Sequence, residues 1–311
     1  MNGYSYRKYS ALAVIFILVT GVVRVYAGGD EPSEFTNVDS IINTRHNMTF
    51  STMKNGTGGQ MNAYRNDYGE VCVYCHTPHG ANRQIDAPLW NRTFLNTTYT
   101  TYDTLGTSSL KGDVTQPGVN SLTCLSCHDG TTAIDSIINM PGSGQYSALQ
   151  ETTQNESFLD NFVPPVGNPG FQAGDHYSLN SGTTFGDRSC LVCHNPSGPS
   201  DAGDFSVAVI GTDLTNDHPI GVSLPTSLLG TEFNEPANPV NGIRFYDTDG
   251  DQRPDSNEIR FYDTGQGPEV ECASCHDPHG VPTIGSSGPL NPTFLRISNA
   301  NSQICLTCHI K

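Results

Sequence analysis

The sequence is poor in the residues that usually build a protein interior. Hydrophobic residues occupy only 35% of its 311 positions, with a single tryptophan and five methionines. Glycine (32) and proline (20) are frequent instead, which favours turns and loops over long helices and sheets. So little apolar surface can hardly offset the conformational entropy lost on ordering. We therefore expect either partial disorder or an interior filled by something other than side chains.

Positive charge is also scarce. The chain has 15 Lys and Arg against 31 Asp and Glu, which gives a net charge of −16 and a pI near 4.8. An acidic surface repels nucleic-acid phosphates and anionic lipid headgroups. The balance argues against both as partners.

Only one long hydrophobic run is present, at residues 11–23, and no second run follows it. It comes after Arg7 and Lys8 and is followed by Val25-Tyr26-Ala27, which has the form of a cleavage site. The run is short for a membrane span, which needs about 20 residues. We predict a signal peptide over residues 1–27 and a mature protein that is secreted or periplasmic, with no membrane span.

No cysteine stands outside one repeated pattern. All ten belong to five copies of C-x-x-C-H, the attachment signal of c-type haem. Two thiols about one helical turn apart can add to the two vinyl groups of one porphyrin, and the adjacent histidine then lies beneath the iron. We predict five covalently attached haems. The thioether cysteines are Cys72, Cys75, Cys124, Cys127, Cys190, Cys193, Cys272, Cys275, Cys305 and Cys308, and the proximal ligands are His76, His128, His194, His276 and His309.

Three other uses of these cysteines explain the pattern less well. Disulfides suit an exported protein but do not require a histidine after every second cysteine. Zinc ribbons pair two motifs, and five is an odd number. A thioredoxin-like redox site needs one copy of C-x-x-C, not five.

The histidine count predicts the axial ligands. Five haems with two axial ligands each need ten ligands, and the chain has ten histidines. Because bis-histidine ligation closes the iron to small molecules, we expect electron-transfer haems of low potential and no enzyme activity. The predicted distal ligands are His46, His79, His176, His218 and His279.

Two of these distal histidines lie three residues after a motif histidine, in Pro-His-Gly. Neither can reach the opposite face of the haem bound by its own motif, so each should bind the iron of a neighbouring haem. We expect His79 to serve the second haem and His279 the fifth.

The chain contains an internal repeat with a period of 200 residues. Cys72, Pro78 and Asn91 have counterparts in Cys272, Pro278 and Asn291. We predict an N-terminal segment (28–70), two-haem modules at 71–130 and 271–311, and an insert (131–270) that carries the third motif. The expected fold class is mostly irregular coil with short helices at the motifs and few strands, around a core of haems.

The insert also contains a twelve-residue acidic loop, 247–258. Carboxylates occupy positions 1, 3, 5, 9 and 12, with a backbone carbonyl at position 7, as in EF-hand loops that bind Ca²⁺. Gln252 replaces the usual glycine at position 6, and a solvated acidic turn is the alternative. The candidate ligands are Asp247, Asp249, Asp251, Arg253, Asp255 and Glu258.

Residues 72–81, 88–92, 124–130 and 216–220 together resemble cytochromes with doubled C-x-x-C-H motifs. Some secreted members of that group polymerise into filaments with a continuous row of haems, in which a histidine of one subunit completes a haem of the next. The resemblance implies an extracellular electron conduit that assembles as a homopolymer and exchanges electrons with other cytochromes or extracellular acceptors. His46 is the candidate for the intersubunit ligand. A monomeric periplasmic shuttle and a multihaem oxyanion reductase are the alternatives.

Overall fold

A computed structural model describes most of the chain after its N-terminal region. The predicted signal peptide lies outside the described residues, whereas every C-x-x-C-H motif, every histidine and the acidic loop lie within them. The described residues are 35–49, 64–65, 68, 70–139, 176–198, 202–283 and 288–311.

Regular structure is sparse and concentrates at the motifs. Three α-helices occur in the described residues: α1 (Val119–His128), α2 (Cys272–Cys275) and α3 (Gln303–Cys308). Each of them contains cysteines of a motif. The remaining helical turns are short 3-10 segments at Ile41–Asn43, Val71–Tyr74, Tyr102–Leu105, Phe185–Asp187, Cys190–Val192, Ser206–Ala208, Thr226–Leu228, Pro292–Phe294 and Ala300–Ser302.

The expectation of a mostly irregular chain with short helices and few strands is confirmed in these ranges. Among the described residues, no helix is both long enough and apolar enough to cross a bilayer.

One small antiparallel sheet lies in the predicted insert. It has the strand order β1-β4-β3-β2, with β1 at Val222–Ser223, β2 at Ile243–Phe245, β3 at Arg260–Asp263 and β4 at Pro268–Val270. Aromatic and β-branched residues favour these strands, and Phe245 and Phe261 are buried. The sheet carries two elements of functional interest, because β4 leads into α2 and the acidic loop joins β2 to β3.

The buried apolar side chains form three separate clusters, each beside motif residues. The first contains Val73 and Tyr74 of the first motif. The second contains Leu125 of the second motif and packs against Cys272 of the fourth. The third packs against Cys275 and Cys308. Side-chain burial is thus divided among the motifs.

Buried arginines hold irregular segments together where the ladder bonds of helices and sheets are missing. Arg92 is fully buried, and its guanidinium donates to the carbonyl oxygens of Ile134 (2.8 Å), Ser126 (2.8 Å) and Ala133 (2.9 Å). A planar guanidinium can reach three carbonyls at once, which a lysine ammonium on its flexible stem does not reproduce. The loops on either side of the second motif therefore depend on this side chain.

We expect Arg92→Lys to lower the free energy of unfolding by roughly 2–4 kcal/mol, because buried carbonyls would lose their donors. Thermal unfolding followed by circular dichroism measures the loss. Arg83→Lys is the matched control at an exposed position and should leave stability nearly unchanged. Equal stability of the two variants would contradict the role of Arg92.

Candidate functional site

All five motifs adopt a helical turn that brings both cysteines and the histidine together. The second motif forms the end of α1, which closes at His128. In the other four, the histidine amide donates to the carbonyl of the first cysteine: His76 to Cys72 (2.8 Å), His194 to Cys190 (3.0 Å), His276 to Cys272 (3.1 Å) and His309 to Cys305 (2.9 Å). The prediction that each motif occupies about one helical turn is confirmed.

The ten cysteines all carry free thiols, so the structure contains no support for disulfide pairing. Burial is the main reason that the pKa of Cys75, of Cys190 and of Cys308 is raised to about 12. Each of the five pairs could hold one porphyrin through its two sulfur atoms.

Thiols of different motifs lie close enough to affect one another. Burial is the largest cause of the raised pKa of Cys75 in the first motif and of Cys190 in the third. Cys127 of the second motif also raises both pKa values. A hydrogen bond between Cys124 and Cys272 raises the pKa of the former and lowers that of the latter. The second motif is therefore the neighbour of the first, third and fourth.

The fifth motif joins this group through the fourth. Burial and then Cys275 raise the pKa of Cys308 to about 12. Both cysteines pack against the same apolar cluster, which contains Tyr246 and Phe261. The spatial order of the motifs thus differs from their order in the chain, since the fourth motif contacts the second directly although the third lies between them in sequence.

The imidazoles of four motif histidines have a defined orientation. Each places Nδ1 against a backbone carbonyl oxygen, which can only accept a hydrogen bond, so Nδ1 carries the proton. Nε2 keeps its lone pair and could bind a metal, as in metal sites where the other ring nitrogen is held by an acceptor. The bonds are His76 to Pro88 (3.1 Å), His128 to Ala208 (2.7 Å), His194 to Gly203 (2.8 Å) and His276 to Thr293 (2.7 Å).

Four of the five predicted distal histidines also have Nδ1 bonded to an oxygen that can only accept. The fifth, His79, has an exposed side chain. Carbonyl oxygens accept from two of the four and carboxylates from the other two. The bonds are His46 to Pro278 (3.1 Å), His218 to Pro219 (3.1 Å), His176 to Asp135 (2.7 Å) and His279 to Asp277 (3.1 Å).

Two distal histidines lie opposite a motif histidine. The ring centroids of His76 and His279 are 6.2 Å apart, with an angle of 13° between the ring planes. Those of His46 and His128 are 6.3 Å apart, with an angle of 77°. His279 thus lies beside the first motif and His46 beside the second, whereas the sequence-based expectation placed His279 with the fifth haem and His79 with the second.

His46 contacts aromatic and backbone groups of its own chain. Its imidazole stacks on Phe294 of the same chain at 4.3 Å between ring centroids. The segment that carries it pairs with the second module, where the Asp39 amide donates to Gly288 (3.1 Å) and Asn37 accepts from Leu290 (2.8 Å). These backbone hydrogen bonds attach the segment that carries His46 to the second module.

His176 and His218 also lie beside motifs. His176 is buried two residues before Ser178, whose carbonyl accepts from the Cys190 amide of the third motif (3.0 Å). His218 lies near both His276 and His309. Burial is the larger cause, and His218 a smaller one, of the lowered pKa of both.

Burial keeps most motif imidazoles in the neutral form, which is the form that binds metals. It lowers the pKa of His194 to about 4, and it is also the main reason that the pKa of His76 and of His128 is lowered. The pKa of His46 falls to about 4 through burial and then through His128. His279 is the exception, since its hydrogen bond to Asp277 raises its pKa.

The two modules of the sequence repeat are in direct contact. The carboxylate of Glu271, just before α2, accepts from the Gly118 amide (2.9 Å) and from the Ser121 hydroxyl of α1. The same hydroxyl oxygen accepts from the Cys272 amide (2.8 Å). Sequence reasoning missed Glu271, because an acidic residue beside a motif is ordinarily solvated and nothing in the pattern marks it as buried.

The two modules of the sequence repeat do not use equivalent residues for the same backbone contact. A returning segment donates to the carbonyl of the second cysteine in each module, from Asn91 to Cys75 (2.9 Å) and from Arg296 to Cys275 (2.8 Å). The sequence repeat instead aligns Asn91 with Asn291, so the returning segment of the second module is displaced along the motif.

The acidic loop brings its carboxylates together between two strands, not between two helices. Oxygens of Asp247, Asp249 and Glu258 lie within 4.8 Å of one another, as do those of Asp249, Asp251 and Asp255. Glu258 is buried and accepts from the Thr248 amide (2.6 Å) and the Asp255 amide (3.0 Å). Ca²⁺ binding by this loop stays a prediction.

Comparison of the sequence with protein-family models and with curated proteins finds no match. The resemblance described above therefore stays an interpretation of the motifs and their neighbours.

Glu271 should make stability depend on pH. Burial raises its pKa from 4.5 to about 7, so the folded chain binds more protons than the unfolded chain between these values. Stability then falls as the pH rises through this window. We expect Glu271→Gln to reduce the change in melting temperature between about pH 5 and 7.5. Glu235→Gln, at an exposed position, should keep the wild-type dependence; an unchanged profile in Glu271→Gln would refute the assignment.

Removal of cations tests the acidic loop. Desolvation and the neighbouring Asp251 and Asp249 raise the pKa of Asp255, which indicates carboxylate repulsion that a bound cation would relieve. We expect millimolar Ca²⁺ to raise the melting temperature above its value in chelator, and Asp251→Asn to shrink that increase. Asp86→Asn removes an exposed charge elsewhere and should respond to Ca²⁺ as the wild type does. The same response in all three proteins would count against a site in the loop.

Proposed function

We propose that this protein is an exported pentahaem c-type cytochrome that transfers electrons and is not an enzyme. One observation carries the proposal. Five one-turn motifs each present two free thiols and a histidine, and in four of them Nδ1 is bonded so that Nε2 is left to bind iron. Five further histidines match the number of motifs.

The distances between facing histidines fit this cofactor. A metal held about 2 Å from each of two imidazole nitrogens separates the ring centroids by roughly 6 Å. The pairs His76–His279 and His46–His128 have centroid separations of 6.2 and 6.3 Å. The donor set therefore suits a six-coordinate iron between two imidazoles at these two motifs.

The chain's own residues would hold the cofactor and set its coordination. The cysteines would supply the thioether bonds, the motif histidines the proximal ligands and the other histidines the distal ones. When bound, haem supplies one-electron chemistry, and bis-histidine ligation gives it a low potential. The chain would orient these imidazoles through their Nδ1 hydrogen bonds, and burial disfavours a second proton on the ring.

Electron transfer is supported over oxyanion reduction by the ligand count. A reductase needs an iron with an open position, and the chain has a second histidine for each of its five motifs. In the filaments that the resemblance points to, a histidine of one subunit completes a haem of the next, whereas His46 here contacts Phe294 and Pro278 of its own chain. Our proposal is therefore limited to electron transfer, which a filament and a shuttle both perform; electron microscopy of the secreted protein distinguishes these two.

The number of attached haems tests the proposal. Expressed in a host that matures c-type cytochromes, the full chain should bind five haems, measured by intact mass and by the pyridine haemochrome spectrum. The double variant Cys305→Ala/Cys308→Ala should lose the mass of one haem, because both thioethers of the fifth motif are removed. Thr307→Ala, between the same two cysteines, is the matched control and should keep five. A colourless protein, or a wild type with fewer than five haems, would refute the function.

A further inference from the structure

The turn at residues 277–280, after the fourth motif, lies between two sites of the first module. Resting on the proposed function, we propose that His279 is the second axial ligand of the site built on His76, and that His46 is the second axial ligand of the site built on His128. The first two sites would then be completed by residues outside their own module.

The first pair has two features that suit a shared metal. Nδ1 of His76 is bonded to the Pro88 carbonyl and Nδ1 of His279 to the Asp277 carboxylate, each at 3.1 Å. In both rings, Nε2 is left to bind. The ring planes are nearly parallel, and the centroid separation of 6.2 Å suits an interposed metal.

A tight turn carries His279 away from its own motif. The Gly280 amide donates to the Asp277 carbonyl (2.9 Å), and Gly280 has a φ of +82°, which favours glycine. A Cβ at this position would lie 2.3 Å from Leu290 Cδ1. The turn leaves the His279 side chain 64% exposed, on the side of the first motif instead of beside His276.

The same turn orients the second pair. The carbonyl of Pro278, the residue before His279, accepts from Nδ1 of His46 (3.1 Å). The ring of Phe294 stacks on the His46 ring, with 4.3 Å between the centroids. Nδ1 of His128 is bonded to Ala208, so Nε2 of both rings is left to bind. Residues 277–280 therefore hold the second ligand of both sites at once.

The two pairs have different ring orientations, which supplies a spectroscopic signature. The planes are 13° apart in His76–His279 and 77° apart in His46–His128. Low-spin ferric haem with nearly parallel imidazole planes gives a rhombic electron paramagnetic resonance (EPR) signal. Nearly perpendicular planes give a highly anisotropic signal with a large maximum g value.

The test compares His279→Ala and His46→Ala in the full haem-loaded chain by EPR difference spectra against the wild type. We expect both variants to keep five haems by mass and to convert one of the five from low spin to high spin. His279→Ala should lose a rhombic signal, and His46→Ala a large-g signal. Imidazole added to either variant should restore low spin.

His79→Ala is the matched comparison, because His79 occupies the equivalent Pro-His-Gly of the repeat. It should leave the rhombic signal of the His76–His279 pair in place. His279→Met keeps a sixth ligand and should raise the potential of one haem, so it tests the pairing even where the alanine variant folds poorly.

Opposite results would overturn the pairing. Retention of all low-spin haem in His279→Ala, or loss of the same signal in His279→Ala and His46→Ala, would show that the ligands are assigned wrongly. Either result with five haems attached leaves the proposed function intact. A wild type with fewer than five haems refutes the function itself, so the two failures are distinguishable.

Discussion

The hydrogen bond from histidine Nδ1 to an oxygen that can only accept is the interaction on which the arrangement of this protein depends. It determines which nitrogen carries the proton, and with it the direction of the remaining lone pair. For the motif histidines, the acceptor is a backbone carbonyl between 9 and 80 residues away in sequence. These carbonyls lie in loops and short 3-10 turns, so the sparse secondary structure leaves them available to the imidazoles.

An irregular chain needs other means of holding its loops. Arg92 binds three carbonyls, one within the second motif and two in the segment that follows it. Arg296 donates to the carbonyls of Ala273 (2.9 Å) and Ser256 (2.8 Å) and to the Asp277 carboxylate (3.1 Å). Asp277 also accepts from His279, so a buried arginine supports the turn that carries this ligand. Such side chains satisfy backbone groups that regular secondary structure would otherwise pair.

The contact between the second and fourth motifs joins the two modules into one unit. Glu271 bonds to the start of α1, and Ser121 of α1 bonds to the start of α2. A thiol of each motif shares a hydrogen bond with the other. The fourth motif thus contacts the second through its helix, the first through His279 and the fifth through the cluster around Cys275. This central position accounts for a buried carboxylate at a place where sequence alone predicts solvent.

The local chemistry of this protein can be predicted from its amino-acid sequence: five motif turns, the donor atoms in each, the short helices and the general lack of regular structure. These follow from spacing, because C-x-x-C-H confines its three donors to one turn and a composition rich in glycine and proline favours loops. Which histidine faces which motif is visible only in the folded arrangement. Neither the terminal position of His46 nor the Pro-His-Gly context of His279 indicates the partner, and the 200-residue repeat suggests an equivalence of the modules that their contacts do not keep. The physical reason is that these pairings are set by backbone hydrogen bonds between segments up to about 250 residues apart, such as Asn37 with Leu290, which leave no local pattern to read.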